Sequence, residues 1–477
     1  MTVALYEGEN AEEEWREAIS IFTRIRHPNL VQIFGATGAC GARAIVFHDD
    51  LMPLEDFVDR HRHSHFAVVY IYDYCIAEFE DADDHVMRIF EIPLLDAASA
   101  FFIRRSTARF CVDLRPHSAW DSVPCVTSFT PSYMDSTSRR INMISPDAPD
   151  LETMFISSST LDRYHQICSF NLRHRRDFLC APRTVVSLGE IRYASPTSPL
   201  EDPAPVAFIP GPQVQVMTVF WSTSGSFMTI GDMDDEPMRH AWTRYMYKSR
   251  RFSSDLDVQW CAMAGATFHR EFWLAQANYC FRHLQIASNY DDYVFVDRLT
   301  FRLVVSAAPK DPPQGYLFLW IGADLPEGTS TFSIPDYPAY WSLDATGAER
   351  LTTEEASELG FPGIKFTIQA SGSSWDADVY VGLRKFHGAK GFDPYSQDVA
   401  RHLDYPLYQL SGGLGVPLAH GELNTLPPFK LLMSTQRATK APVRRMTRHI
   451  LQSTFLLLNS RRLTMSSRRG PRDAGKC

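Results

Sequence analysis

Several clusters in this chain have side chains suited to chemistry, and their spacing sorts them. His61, His63 and His65 place three imidazoles within five residues, and His165 with Cys168 gives a two-ligand spacing. A structural zinc site needs a second pair of ligands close by. Neither cluster has one, so the first reads as a solvated loop and the second as a core pair. Asp232-Met233-Asp234-Asp235-Glu236 concentrates carboxylates but lacks the glycine and terminal glutamate spacing of a calcium loop, which leaves a solvated acidic turn. Ser224-Gly225-Ser226 lies in a polar stretch without the strand-to-helix setting of a nucleophile elbow. No Walker loop or dinucleotide fingerprint is found. No metal, no cofactor and no catalytic residue is therefore expected.

The chain has 477 residues, of which 45% are hydrophobic and 22% charged. This is the composition of a folded protein, long enough for two or three cores. It has no apolar run long enough for a membrane helix, and its start is acidic where a signal peptide is basic. The expected location is intracellular, cytoplasmic or nuclear, with no membrane partner. Nine cysteines lie scattered without a close pair, which predicts buried reduced thiols. From Lys430 onward twelve Lys or Arg face one acid, so this tail carries +11 and leaves −20 on the rest of a chain of net charge −9. An acidic body repels phosphate backbones, so nucleic acid is expected to bind only weakly, through the tail.

The elements that must hold any site are punctuated clearly in places. The pattern predicts strands at 2–5, 31–34 and 44–47, helices at 11–24, 54–61 and 67–79, and two strands within 101–114. Val68, Tyr72, Cys75 and Phe79 form one apolar stripe on the third helix. Residues 115–150, rich in Pro, Ser and Asp, read as a linker or long loop. From 151 to 335, runs such as 183–188, 214–221, 293–297, 299–305 and 315–321 predict antiparallel strands. A single helix over 268–284, apolar on two faces, interrupts them. Trp221, Trp242, Trp260, Trp273 and Trp320 read as core residues of this region. From 336 to 411, Thr352-Thr353-Glu354-Glu355 supplies a capping box. A strand at 364–369 and helices at 376–387 and 396–403 complete a small α+β unit. Residues 412–477 read as a low-order basic tail.

One stretch carries a resemblance. Ile25-Arg26-His27-Pro28-Asn29-Leu30-Val31 follows an acidic helix and precedes the apolar strand Ala44-Ile45-Val46-Phe47. It resembles the helix-to-strand junction of a protein-kinase small lobe, covering residues 3 to about 85. The resemblance implies that Val3-Ala4-Leu5-Tyr6 is the strand whose fourth residue is normally the lysine that neutralises ATP phosphates. Tyr6 stands there, and a phenol carries no positive charge. The helix glutamate that would pair with the lysine falls on Ala18, with Glu17 one position away. His174-Arg175-Arg176-Asp177 matches the catalytic-loop motif only superficially. With Ala339-Tyr340-Trp341-Ser342-Leu343-Asp344 and Gly391-Phe392-Asp393-Pro394, the opening is also similar to a large family of fungal kinase-like proteins, a likeness that brings no established activity.

The sequence thus predicts an α+β protein: an incomplete kinase-like lobe over 1–114, a 115–150 linker, a β-rich domain with a buried helix over 151–335, a 336–411 α+β unit and a 412–477 tail. The expected function is a kinase-like interaction or scaffold module without phosphotransfer activity, serving a protein partner. The alternative is a ligand-binding protein or enzyme with its site in 151–411, and a third is residual kinase activity. The lobe also predicts an open sheet edge at residues 2–6, which the 101–114 hairpin is expected to cover.

Overall fold

The acidic helix and the strand that precedes it form as the pattern predicts. In a computed structural model of the protein, β1 (Thr2–Tyr6), α1 (Ala11–Arg24), β2 (Ile33–Thr37) and β3 (Arg43–Phe47) build an antiparallel sheet in the order β1-β3-β2. The structure describes residues 1–8, 10–38, 43–114, 145–181, 184–194, 203–210, 216–223, 235–237, 242–247, 256–264, 269–306, 313–320, 331–333 and 338–411. Glu12, Glu13 and Glu14 fill the first turn of α1, where the helix dipole favours acids. Ala18, Ile21 and Phe22 turn its apolar face onto the sheet, with the Phe22 ring edge-on to Phe47. Val31, expected in the second strand, instead bonds to Val112 outside this sheet.

A second small sheet follows, in which β4 (Leu51–Pro53) leads into α2 (Leu54–Arg60) and α3 (His65–Phe90). After a short α4 (Leu94–Ala97), the hairpin of β5 (Ala98–Arg104) and β6 (Phe110–Leu114) returns to pair with β4. The hairpin therefore does not cover β1, because β4 occupies its edge. Ser64 caps α3 by accepting from the Ala67 amide. The expected helix over 67–79 is extended at both ends to 26 residues, and Phe66 to Tyr72 are buried all round. A helix apolar on every face belongs at the centre of a core.

The turn at His27-Pro28-Asn29 joins these parts. The Val31 amide donates to the Val112 carbonyl and the Val112 amide to the Asn29 carbonyl, each at 2.9 Å, so residues 29–31 lie beside β6. Asn29, fully buried, donates from Nδ2 to the Phe110 carbonyl at 3.0 Å and to Glu78 of α3. Arg104, also buried, donates from Nη2 to the Leu30 carbonyl at 2.7 Å and pairs with Asp49.

The remaining described chain begins with α5 (Leu151–Ser158) and α6 (Leu161–Asn171). It continues with β7 (His174–Leu179), β8 (Val185–Ser187), β9 (Ile191–Tyr193), β10 (Ala204–Phe208), β11 (Val216–Thr223), β12 (Asp235–Pro237), β13 (Trp242–Tyr247) and β14 (Leu256–Ala264). Then come α7 (His269–Leu274), α8 (Ala277–His283), β15 (Tyr293–Val305), β16 (Gly315–Trp320), β17 (Thr331–Ser333) and β18 (Ala339–Ser342). Last are α9 (Thr353–Glu358), β19 (Ile364–Ser374), α10 (Ala377–Ala389), α11 (Asp398–His402) and β20 (Gln409–Leu410). The long β15 unites two expected strands and pairs with β14 and β9 on one side and β19 on the other, in an antiparallel eight-stranded sheet. The capping box at Thr352 and Glu355 forms as predicted.

The helix expected over 268–284 is two helices. Gln276 breaks it: its Nε2 donates to the Phe272 and Pro406 carbonyls at 2.9 Å, and its Oε1 accepts from the Tyr408 amide and Gln397. Trp273 and Trp320 are buried as expected and Trp242 half so, while the side chains of Trp221 and Trp260 lie outside the described residues. The fold class is α+β. One cluster of buried apolar side chains runs from Ala18 to Tyr408, so the opening sheet and the helices after residue 150 share a core. Residues 115–144, 224–234 and 412–477 lie outside the described residues, as do most of the expected linker and the whole tail.

The junction generates a stability prediction. Asn29→Ala leaves the Phe110 carbonyl and Glu78 without this donor and is expected to lose about 2 kcal/mol in urea unfolding. Phe34→Ala, at a residue 59% exposed, is expected to change stability by no more than about 0.5 kcal/mol. Equal effects would show that the junction contributes nothing.

Candidate functional site

The positions singled out by the resemblance fall into two groups. His27, Pro28 and Asn29 sit at the junction just described. The His27 ring stacks on His85 at 4.9 Å, its Nε2 lies 3.4 Å from Asp81, and the Pro28 carbonyl accepts from Arg104 at 3.3 Å. These three residues join strands to α3 mechanically.

Tyr6, Glu17 and Ala18 lie on β1 and α1. Ala18 is buried in the core, Glu17 is half-buried beside it, and Tyr6 is half-buried at the end of β1. Burial first, then the carboxylates of Asp113 and Glu14, push the Tyr6 phenol up to about 12. Arg43 stands opposite Tyr6 in the strand register, but its guanidinium binds Glu12 at 2.6 Å. The sequence reading missed Asp113 and Glu14. Asp113 was marked only by being the one carboxylate in the apolar strand Phe110–Leu114.

A second place gathers titratable groups around a cleft of about 550 Å³. Helix α2, the starts of α3 and α10, the end of α6 and one strand build it. Ser64 starts α3 and sets His65 in its first turn, α6 ends at Asn171 in the lining, and Asp376 starts α10 by accepting from the Val379 amide at 3.2 Å. Pairing of β7 with β19 sets His174 opposite Ser374. This brings His174 Nε2 to 3.8 Å from Asp376. The facing Asp376 carboxylate raises the His174 pKa, with burial opposing, and His174 in turn holds the Asp376 carboxyl below its usual range.

His65 is on the wall of the same cleft, with Nε2 2.7 Å from the Tyr164 hydroxyl. Burial brings its pKa down to about 4. Gly382 on α10 permits this contact, since a Cβ there would meet His65 Nε2 at 2.2 Å and the Tyr164 hydroxyl at 2.7 Å. The reading of residues 61–65 as a solvated loop is thus corrected. His61 is also buried, with Nδ1 2.8 Å from the Phe57 carbonyl, because it closes α2 over the core. The expected core pair His165 and Cys168 is buried on α6. The chance motif His174 to Asp177 is a strand, of which only His174 and its neighbour Arg173 reach the cleft.

Two buried polar pairs lie behind this wall. His165 and His387 face each other, Nε2 to Nε2, at 2.8 Å, and burial lowers both pKa values, that of His387 to about 4. Ser169 Oγ donates to Glu271 at 3.1 Å, and burial pushes the Glu271 carboxyl up to about 8. Among the described residues no three His, Cys, Asp or Glu gather as a metal site. Cys75, Cys111, Cys168, Cys180 and Cys280 are buried thiols, and burial pushes Cys111 and Cys280 up to about 12.

No protein-family model matches the chain, and no curated protein matches it. The geometry alone therefore supports any assignment.

The buried pairs predict opposite pH effects. His387 takes a proton more readily when unfolded, so its contribution to stability is lost as pH falls from about 6.5 to about 4, by at most about 3 kcal/mol. Glu271 holds its proton more tightly when folded, so its contribution is lost as pH rises from about 4.5 to about 8. Urea unfolding across this range is expected to show less acid loss in His387→Gln and less alkaline loss in Glu271→Gln. Parallel pH curves for both variants and the parent would contradict these assignments.

Proposed function

We propose that the chain is a kinase-like protein without phosphotransfer activity whose first 114 residues serve as a binding or scaffold module for a protein partner inside the cell. The antiparallel sheet β1-β3-β2, with α1 joining β1 to β2, supports this reading, since the resemblance implies a strand, a helix and further strands in that chain order. The observation that carries it is Tyr6: the charges acting on the position expected for lysine are the carboxylates of Asp113 and Glu14. ATP phosphates placed there would meet negative charge, and Arg43 is committed to Glu12. The 151–335 and 336–411 regions provide further surfaces in this reading. No helix among the described residues is long and apolar enough to cross a membrane.

A second reading, ligand binding, is favoured by a separate observation. His65, His174 and Asp376 converge on a cleft of about 550 Å³, a volume within the usual range of small-molecule sites. Part of it lies in 151–411, and the rest is supplied by α2 and α3.

A ligand that binds only the folded state must raise its melting temperature. Millimolar ATP with magnesium is expected to produce no shift and no phosphate transfer. A clear shift that is lost on changing Tyr6 or Glu17, with every residue of the cleft kept, would contradict the first reading while leaving the second untouched.

A further inference from the structure

The lining of the cleft is sorted by charge. Val58, Val68, Leu172 and Val379 give it an apolar floor. Around them stand four carboxylates, Glu55, Asp59, Asp376 and Asp378, against the guanidiniums of Arg62 and Arg173. Both guanidiniums are already paired, Arg62 within the lining itself. Arg62 binds Asp59 at 2.6 Å, and Arg173 reaches Ser373 at 3.5 Å and Asp297 at 3.9 Å. The α10 end of the cleft therefore presents Asp376 and Asp378 beside apolar surface.

We propose that the cleft binds a small organic cation, an amine on an apolar stem, and that His174 gates the Asp376 carboxylate. This rests on the ligand-binding reading above. The stem covers the valine and leucine floor, and the ammonium group replaces His174 at Asp376 with Asp378 close by. A carboxylate ligand would instead meet a lining in which four carboxylates stand against two guanidiniums. The charge of −20 outside the basic tail also steers cations toward the protein.

The gate follows from the 3.8 Å separation of His174 and Asp376, which is a charge contact without a tight hydrogen bond. The groups acting on His174 are Asp376 from α10, Arg62 from the turn between α2 and α3, and Asp291 before β15, with Ser374 across the strand register. Protonated, His174 neutralises Asp376 and competes with the amine. Neutral, it releases the carboxylate to the ligand. His65, in the same lining, is kept neutral by burial and is engaged with the Tyr164 hydroxyl.

Calorimetric titration of the full chain with 2-phenylethylamine, butylamine and 3-phenylpropionate at pH 6 and pH 8 tests this. The amines are expected to bind at least about tenfold tighter than the acid, and tighter at pH 8 than at pH 6. Asp378→Asn and Asp376→Asn are expected to weaken them, the latter with its helix cap kept because asparagine also caps. His174→Gln is expected to bind the amine with no pH dependence between those values, and circular dichroism checks that each variant is folded. If the acid binds as tightly as the amines, or the Asp variants bind normally, the ligand class is wrong although the cleft still binds. If no probe binds at about 10 mM, a concentration that captures even very weak sites, the ligand-binding reading fails as well.

Discussion

Asn29 and Arg104 are two polar side chains buried where a turn, a hairpin and a helix meet, and each has partners in more than one of them. Removing either donor would leave carbonyls or a carboxylate in the interior without compensation, at a cost of about 1–3 kcal/mol per orphaned group. That penalty fixes the turn at residues 27–31 against β6 and α3. Once it is fixed, the first sheet cannot slide over the second. Apolar packing alone would tolerate such sliding, since it has no direction.

With the turn in place, α3 becomes the common wall of the molecule. Its first half is buried on every face, and Phe66, Tyr164 and Phe386 bring α3, α6 and α10 together through stacked rings. The same helices carry the neutral histidines. His65, His165 and His387 are kept uncharged by burial, so the wall tolerates them as weakly polar packing groups with hydrogen-bond partners. The cleft forms where this wall ends, at the one side where α2, β7 and the start of α10 leave room between them.

What the sequence made legible was local. The amphipathic α1, the capping box at Thr352 and the β5–β6 hairpin depend on neighbours a few residues away, and each forms where its pattern lies. Gln276 shows the opposite case: besides the Phe272 carbonyl, its partners are Pro406, Gln397 and Tyr408, more than a hundred residues away. The cleft was invisible for the same reason. Residues 55–72, 171–174 and 376–379 share no motif, and His65 looked solvated because Tyr164 and Gly382, which enclose it, are distant in the chain. His27-Pro28-Asn29 stood out correctly as a junction, but its detailed work depends on Glu78, Phe110 and Arg104, which no local pattern connects to it.

Native-state hydrogen exchange tests the central claim, that the 27–31 turn locks the first sheet to α3 as one cooperative unit. The amides of Val31 and Val112, which donate across the junction, are expected to exchange only through global unfolding, with protection equal to that of the middle of α3. Faster exchange of both amides, with α3 still protected, would show that the first sheet opens on its own and would contradict the account.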